Sequence, residues 1–299
     1  RSGSVTGVQT CALPIFTVGH TAENVGGAGL VVLSSAVKSG NPELIAAKAA
    51  GLTVWSRAEM LARLMQDYRT VSVTGTHGKT TTTSMIAWIF EAAGLDPTVI
   101  TGGIIKDWGT NARIGKGEWF IVEADESDET FVKLPTDIGV VTNIDPEHLD
   151  YYGSVEAMHD AYRRFFSGIQ PGGAIVAGID HPVVRKFAES AKLSEGSRLL
   201  RYGVAEDADV RIERIRMNGV GIHIDVDLSG AVKRGAHRIE DLTLAVPGRY
   251  NALNAMAAIA VAKEAGIDEK VIRKALASFH GVKRRSEEHT SELQSQNRI

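Results

Sequence analysis

The sequence has only one cysteine in 299 residues, Cys11, which excludes an internal disulfide and a zinc site built from cysteines. It has no apolar run of about eighteen residues, the length that a transmembrane helix needs, and no segment typical of a signal peptide. Its net charge of −3 offers no basic surface for nucleic acid. These absences favour a cytoplasmic protein with a small-molecule partner, and with neither a nucleic acid nor a membrane partner. They leave the oligomeric state open.

The hydrophobic content of 43% predicts an ordinary globular core, and the length allows about two domains. Residues 1–15 and 286–299 show no helical or strand periodicity. Both segments resemble translated sequencing-adapter read-through, so we treat them as non-native tails and leave them out of the fold prediction. A genuine disordered terminus is the alternative interpretation.

Strands and helices alternate along the rest of the chain, which predicts an α/β fold with a mainly parallel sheet flanked by helices. Residues 16–69 are interpreted as a partial Rossmann-like α/β domain, whose helix over residues 41–50 begins at Asn41 and Pro42. Gly102 and Gly103 are predicted to form a turn after a strand over residues 97–101. Beyond Arg198 the residues alternate in polarity, and this pattern predicts a small antiparallel β subregion.

The most informative segment is residues 71–83, where an apolar strand ends in a glycine loop and a helix follows. This order is typical of a P-loop, in which backbone N–H groups bind phosphate oxygens. Lys79 would add a positive charge and the Thr80 hydroxyl would face Mg²⁺. The first glycine of the common pattern is replaced by Val73, so a chance glycine turn before a helix is the alternative.

Two further strands also end in polar residues. Glu123 is the first of four carboxylates after one strand, and it is predicted to face the loop as a Mg²⁺ ligand; a solvated turn is the alternative. His148 follows the next strand and would bind a second divalent ion, unless it is structural or merely exposed. Asn143 would either hydrogen-bond a ligand or cap the turn.

A fourth element is the turn that enters an alanine-rich helix at residues 247–258. Asn251 and Asn254 are spaced three residues apart, on one helical face. Their amides suit the edge of adenine, and helix capping is the alternative.

Together, Gly75-Thr-His-Gly-Lys-Thr-Thr81, Glu123-Ala-Asp-Glu-Ser-Asp128, residues 142–153 and residues 248–255 resemble the Mur ligase family. The resemblance runs from about Phe16 to Arg285. It implies that residues 16–69 are part of a UDP-sugar-binding domain and that residues 70–285 are the central ATP-binding domain. The family's N-terminal nucleotide-sugar loop and its third domain have no counterpart here, so the resemblance predicts a fragment, and Tyr250 stands where the family usually has histidine.

The resemblance implies ATP and Mg²⁺ as cofactors. ATP-binding residues would be Gly75, Thr76, His77, Gly78, Lys79, Thr80, Thr81, Asn251 and Asn254. Metal ligands would be Thr80, Glu123 and His148, and catalytic residues Lys79, Glu123 and His148. Phe166 replaces the lysine that several relatives modify to a carbamate, which favours the alanine-adding branch, with UDP-N-acetylmuramate and L-alanine as substrates. A Mg-ATP-binding module without turnover and the muropeptide-recycling branch are the alternatives.

Overall fold

The structure is a computed structural model, and it describes residues 16–217, 221–231 and 237–283. Cys11 and both tails predicted to be non-native, residues 1–15 and 286–299, lie outside the described residues. No helix in these three ranges is both long enough and apolar enough to cross a membrane.

The chain alternates helices and strands as predicted. In the described residues the α-helices are α1 (Pro42–Ala49), α2 (Arg57–Met65), α3 (Lys79–Ala92), α4 (Thr130–Lys133), α5 (Leu149–Tyr152), α6 (Val155–Ser167), α7 (Pro182–Ser190), α8 (Arg249–Glu264) and α9 (Glu269–Ser278). The strands are β1 (Leu30–Leu33), β2 (Thr53–Ser56), β3 (Arg69–Thr74), β4 (Thr98–Ile105), β5 (Thr110–Arg113), β6 (Trp119–Glu123), β7 (Ile138–Val141), β8 (Ala174–Gly178), β9 (Arg198–Gly203), β10 (Val210–Met217), β11 (Ile222–Asp227), β12 (Arg238–Leu244) and β13 (Val282–Lys283).

One large sheet has the strand order β12-β11-β10-β9-β8-β7-β3-β6-β4-β13, with β5 paired to β4. The strands from β4 through β6, β3, β7, β8 and β9 to β10 are parallel neighbours, whereas β10, β11 and β12 pair antiparallel. The predicted mainly parallel sheet and the predicted antiparallel subregion are both confirmed.

The central strand β3 is buried on both faces, which requires apolar or paired side chains along its length. Val71 and Val73 pack on one side with α3 and α8, and neighbouring β6 sends Phe120 and Val122 to the opposite core. The buried Ser72 hydroxyl is paired at 2.9 Å with that of Thr136, so this polar group costs little. β3 is therefore a rigid support for the loop that follows it.

Residues 16–69 contain a separate two-stranded parallel sheet, β1 with β2. The predicted start of α1 is confirmed, because Asn41 Oδ1 accepts from the N–H groups of Glu43 and Leu44. The end of α2 joins the core of the large sheet, where Met65 is fully buried in a cluster with Phe120. The two parts of the chain are in contact through α2.

Gly102 and Gly103 do not form the predicted turn, because both lie within β4. The pairing of β4 with β5 shifts register between Ile100 and Ile105, and a Cβ on Gly102 would lie 2.8 Å from Glu123 Oε1. The glycines therefore mark an irregular strand that approaches a side chain closely. The prediction also missed β5, β9, β13, α4 and α5.

Candidate nucleotide-binding site

Three strand ends meet at one edge of the sheet. Val73 of β3 is in register with Glu123 of β6, and Thr74 is in register with Val141 of β7. Parallel strands that pair in register end together, so the loop after β3 lies between the segments that follow β6 and β7. This confirms the expectation that the predicted carboxylate faces the loop.

The glycines of the loop allow a close approach to its neighbours. Gly75 has a φ of +127°, and a Cβ there would lie 2.2 Å from the Thr142 hydroxyl oxygen. Gly78 has a φ of +87°, and a Cβ there would lie 2.6 Å from Asn254 Oδ1. At Gly75, where the Cβ site also lies 2.8 Å from the Asn143 carbonyl oxygen, only glycine fits both the backbone conformation and the space. At Gly78 the positive φ favours glycine. Val73, which replaces the first glycine of the common pattern, is a buried residue of β3.

The segment after β7 holds the loop at His77. Asn143 Oδ1 accepts from His77 N–H at 2.7 Å, and Asn143 Nδ2 donates to the His77 carbonyl at 2.9 Å. The Thr142 hydroxyl also donates to that carbonyl, at 2.7 Å. The Asn143 side chain therefore shapes the loop, and it also lines the cavity described below. Its hydrogen bond to a ligand stays a prediction.

Lys79 begins α3, and its ammonium has three acceptors. Nζ donates to the Gly75 carbonyl at 2.7 Å, the Thr76 carbonyl at 3.3 Å and Glu126 Oε1 at 2.7 Å. The Lys79 side chain is 16% exposed and that of Glu126 is 4% exposed. Burial raises the pKa of Glu126, and the adjacent Lys79 ammonium partly offsets this rise.

Thr80 and Glu123 form a pair of oxygen donors. The Thr80 hydroxyl donates to Glu123 Oε1 at 3.0 Å, while Thr101 and the Gly102 N–H hold Oε2 at 3.0 and 2.6 Å. Mg²⁺ prefers hard oxygen ligands and commonly takes only one or two from the protein, with the others from phosphate and water. The Thr80–Glu123 pair fits Mg²⁺ on this chemistry.

His148 is not brought to Glu123. Its Nε2 lies 3.8 Å from Glu126 Oε1 and 4.0 Å from Glu147 Oε2, and these are its carboxylate neighbours in the described chain. The residue has a left-handed φ of 56° at the start of α5. Across the ranges described, no group of three or more His, Cys, Asp or Glu side chains is arranged to hold a metal. Binding of a second divalent ion by His148 stays a prediction.

Asn251 and Asn254 lie in the first turns of α8. The cap of this helix is Gly248, and Asn251 Nδ2 donates to the Pro247 carbonyl at 2.6 Å, so capping is not the role of either side chain. Asn254 lies beside the phosphate loop, with its Oδ1 2.6 Å from where a Cβ on Gly78 would be. Tyr250 is 84% exposed.

These residues surround a cavity of about 790 Å³, the size of a nucleotide site. Of the predicted ATP-binding, metal-binding and catalytic residues, only Gly75 and His148 do not line this cavity. Those that line it are Thr76, His77, Gly78, Lys79, Thr80, Thr81, Glu123, Asn251 and Asn254. The prediction missed Asp180 and His181, which follow β8 at the same edge of the sheet. The rule that ligands lie beyond strand ends would have found them. Tyr202 had no such signal, because the strand that carries it, β9, was itself missed.

A second cavity of about 460 Å³ lies between residues 16–69 and the large sheet. Arg57 and Leu61 of α2 line it on one side, and Ile100 and Asp125 line it on the other. Lys79, Gly102 and Glu123 line both cavities. The two cavities therefore meet at the phosphate-loop lysine and the carboxylate.

Comparison with protein families identifies both parts of the chain. The Mur ligase middle domain matches residues 73–262, and a second segment, described as Mur ligase family, catalytic domain, matches residues 15–69.

The chain is similar to curated proteins named UDP-N-acetylmuramate--L-alanine ligase. It is 53% identical over 269 residues to that of Nitrobacter hamburgensis and 54% identical over 268 residues to that of Methylorubrum extorquens. Each match covers 90% of this chain and 57% of the relative. The chain thus spans little more than half the length of these relatives.

Solved structures show the same fold. UDP-N-acetylmuramate-alanine ligase from Thermotoga maritima superposes with a TM-score of 0.75 at 28% identity, over 90% of this chain and 58% of that one. UDP-N-acetylmuramate:L-alanyl-gamma-D-glutamyl-meso-diaminopimelate ligase from Neisseria meningitides gives a TM-score of 0.76 at 26% identity, over 89% and 84%.

Proposed function

This chain belongs to the Mur ligase family, and from that premise we propose that it contains the ATP-binding part of a ligase joining L-alanine to UDP-N-acetylmuramate in peptidoglycan synthesis. Relatives at 53% and 54% identity carry the name of this reaction, which favours the alanine-adding branch. Because the chain spans 57% of those relatives, the activity, both substrates and the cytoplasmic location belong to the proposal. The division into a sugar-binding part at residues 16–69 and an ATP-binding part at residues 70–285 also belongs to the proposal.

The observation that carries the proposal is the meeting of the two cavities at Lys79 and Glu123. A ligase that activates a carboxylate must bring the γ-phosphate of ATP next to that carboxylate. A nucleotide in the larger cavity and an acceptor in the smaller one would place their reacting groups on opposite sides of these two residues. A protein that only stores nucleotide needs no second cavity at this point.

The proposed chemistry has two steps. An oxygen of the lactyl carboxylate attacks the γ-phosphorus and ADP leaves, which gives an acyl phosphate. The amine of L-alanine then attacks the acyl carbon, and inorganic phosphate and a proton leave as the amide forms. Catalysis of this kind depends mainly on positioning and on neutralising negative charge.

Lys79 would stabilise the transferred phosphoryl group, and the N–H groups of residues 76–80 would bind the neighbouring phosphates. Thr80 and Glu123 would hold one Mg²⁺, which neutralises phosphate charge when bound. His148 would bind a second divalent ion, as the sequence predicts; the carboxylates within 4.0 Å of its Nε2 are those of Glu126 and Glu147. Asn251 and Asn254 would contact the adenine, and Tyr250 lines the same cavity.

Calorimetric titration of the 299-residue chain with Mg-ATP tests the proposed nucleotide site. Lys79→Ala is expected to weaken binding on the order of 100-fold, because a preorganised charge is lost from the phosphate site. The control is Lys48→Ala, at an exposed lysine of α1. Equal affinity of the Lys79 variant and the unsubstituted chain would contradict the site.

A second assay tests the reaction with a full-length protein that contains this chain. ADP release is measured with Mg-ATP, UDP-N-acetylmuramate and L-alanine, and with each acceptor left out. Release that requires both acceptors supports the ligase, and release without the sugar counts against it. Mg-ATP binding without any release favours the alternative, a nucleotide-binding module.

A further inference from the structure

Glu126 is a buried carboxylate to which neither the sequence nor the proposed chemistry assigns a role. It follows β6 and is 3% exposed; in the described residues only Glu126 and Asp225 are buried acids. Asp225 is paired bidentately with an arginine, whereas the charged partner of Glu126 is the phosphate-loop lysine. Burying a carboxylate is costly, so its place in the structure requires a partner.

The surroundings of Glu126 fix its backbone. The Tyr152 hydroxyl donates to the Glu126 carbonyl, and the Phe131 N–H donates to the carbonyl of the preceding Asp125 at 3.2 Å. Tyr152 is itself 9% exposed. The carboxylate is thereby presented to the loop from a packed part of the core.

The Lys79–Glu126 contact uses one carboxylate oxygen. Oε1 accepts from Nζ at 2.7 Å and lies 3.8 Å from His148 Nε2, whereas Oε2 has no hydrogen-bond partner among the described residues. The other two acceptors of Nζ are neutral carbonyls of the loop. An ammonium has three donors, and all three are directed here. Among the described residues, Glu126 therefore supplies the one charged contact that fixes the direction of the lysine head group.

We propose that Glu126 is a positioning residue for nucleotide binding: its buried carboxylate holds the Lys79 ammonium at the phosphate loop and acts on the nucleotide only through that lysine. The inference rests on the proposed function, because it takes the loop to be an ATP site. Without the carboxylate, two carbonyls would hold a flexible four-carbon side chain, and part of its rotamer freedom would return. Binding would then have to order the lysine as well as the nucleotide.

The first test is a double-mutant cycle on Mg-ATP affinity, measured by calorimetry with the full chain. Glu126→Gln keeps the shape of the side chain and is expected to weaken binding about tenfold, since it removes a charge-assisted hydrogen bond. In the Lys79→Ala background the same change is expected to have less than about twofold effect, because the residue through which it acts is absent. Glu129→Gln, at a nearby carboxylate paired with Arg164, is the matched control and is expected to bind normally.

Two outcomes of the cycle would overturn the proposal. Equal losses with and without Lys79 would mean that Glu126 acts independently of the lysine. Unchanged or tighter binding by Glu126→Gln would mean that the carboxylate is irrelevant, or that it competes with the phosphates for the lysine.

A second measurement needs no nucleotide. Acetylation of Lys79 by acetic anhydride, followed by peptide mass spectrometry, is expected to be several-fold faster in Glu126→Gln, with Lys263 unchanged as the internal reference. An acetylation rate of Lys79 that is unchanged in Glu126→Gln overturns the role of Glu126. Failure of the unsubstituted chain to bind Mg-ATP overturns the proposed function instead. If Glu126→Gln does not fold, Glu126→Asp replaces it in both measurements. This variant withdraws the carboxylate by one methylene, and it is likewise expected to weaken Mg-ATP binding and to speed acetylation of Lys79.

Discussion

At the scale of single residues, the phosphate loop depends on how closely its backbone approaches the segment after β7. The site of a Cβ on Gly75 is 2.2 Å from the Thr142 hydroxyl oxygen and 2.8 Å from the Asn143 carbonyl. One of these neighbours is backbone, so it cannot move aside at low cost. The shape of the loop therefore depends on tertiary contact as well as on its own sequence.

We predict that Gly75→Ala lowers the free energy of unfolding by about 2–4 kcal/mol, because a left-handed backbone conformation and an overpacked contact both oppose the new methyl group. Gly94→Ala is the matched control. Gly94 also has a positive φ, +73°, but no atom lies within 4 Å of its Cβ site, so about 1 kcal/mol is expected. Urea unfolding followed by circular dichroism measures both, and equal losses would show that close contact at Gly75 has no effect.

At the scale of elements, the antiparallel edge formed by β10, β11 and β12 contains a charged network. Arg216 of β10 donates to both oxygens of Asp225 on β11, at 2.8 and 2.9 Å, and to Asp241 of β12 at 3.0 Å. The Asp241 N–H also donates to Asp225 Oδ1, at 2.9 Å. These hydrogen bonds hold the pKa of Asp225 well below its usual range. Those from Arg216 have the largest effect, and the one from the Asp241 N–H has the next largest.

This lowered pKa predicts how stability depends on pH. The folded pKa of Asp225 lies below the unfolded value near 3.9, so its contribution is fully present above that value and is lost as pH falls towards the folded pKa. Asp225→Asn is expected to be less stable than the unsubstituted chain at pH 6–8, with a difference that shrinks below about pH 4. Urea unfolding across pH 2–8 measures it. Asp67→Asn, at an exposed residue, is the control, and a difference for Asp225→Asn that stays constant with pH would contradict the argument.

At the scale of the whole molecule, the two parts matched by separate family segments share side-chain contacts. Met65 ends α2, is fully buried, and belongs to the same cluster as Phe120, Phe131 and Phe166 of the central part. Its neighbour Leu64 is 48% exposed. Residues 16–69 therefore contribute to the packing of the large sheet.

We predict that Met65→Ala lowers the free energy of unfolding of the whole chain by about 2–4 kcal/mol, because it leaves a cavity in this shared core. Leu64→Ala should cost about 0.5 kcal/mol or less. Tryptophan fluorescence and far-ultraviolet circular dichroism should report one common transition for both variants. A separate unfolding transition that precedes the main one, and that only Met65→Ala shifts, would mean that residues 16–69 unfold by themselves.

The sequence by itself determined the features that are encoded locally. The alternating run before Gly75 and the helix after Gly78 specify a strand, a loop and a helix, since hydrophobic period and positive φ are properties of neighbouring residues. The same holds for the Asn41 cap and for the antiparallel edge. The turn predicted at Gly102 and Gly103 was wrong for a related reason. Glycine indicates an unusual backbone position but does not distinguish a turn from an irregular strand.

Only the tertiary structure decided which side chains meet. Among the carboxylates after β6, the sequence distinguished Glu123 by its place at the strand end, yet nothing in it marks Glu126 as the residue buried against Lys79. Asn143 likewise turned out to hold His77, and His148 to lie beside Glu126. These contacts follow from the order in which β6, β3 and β7 pair. Strand order brings together residues far apart in the chain, and local periodicity carries no information about it.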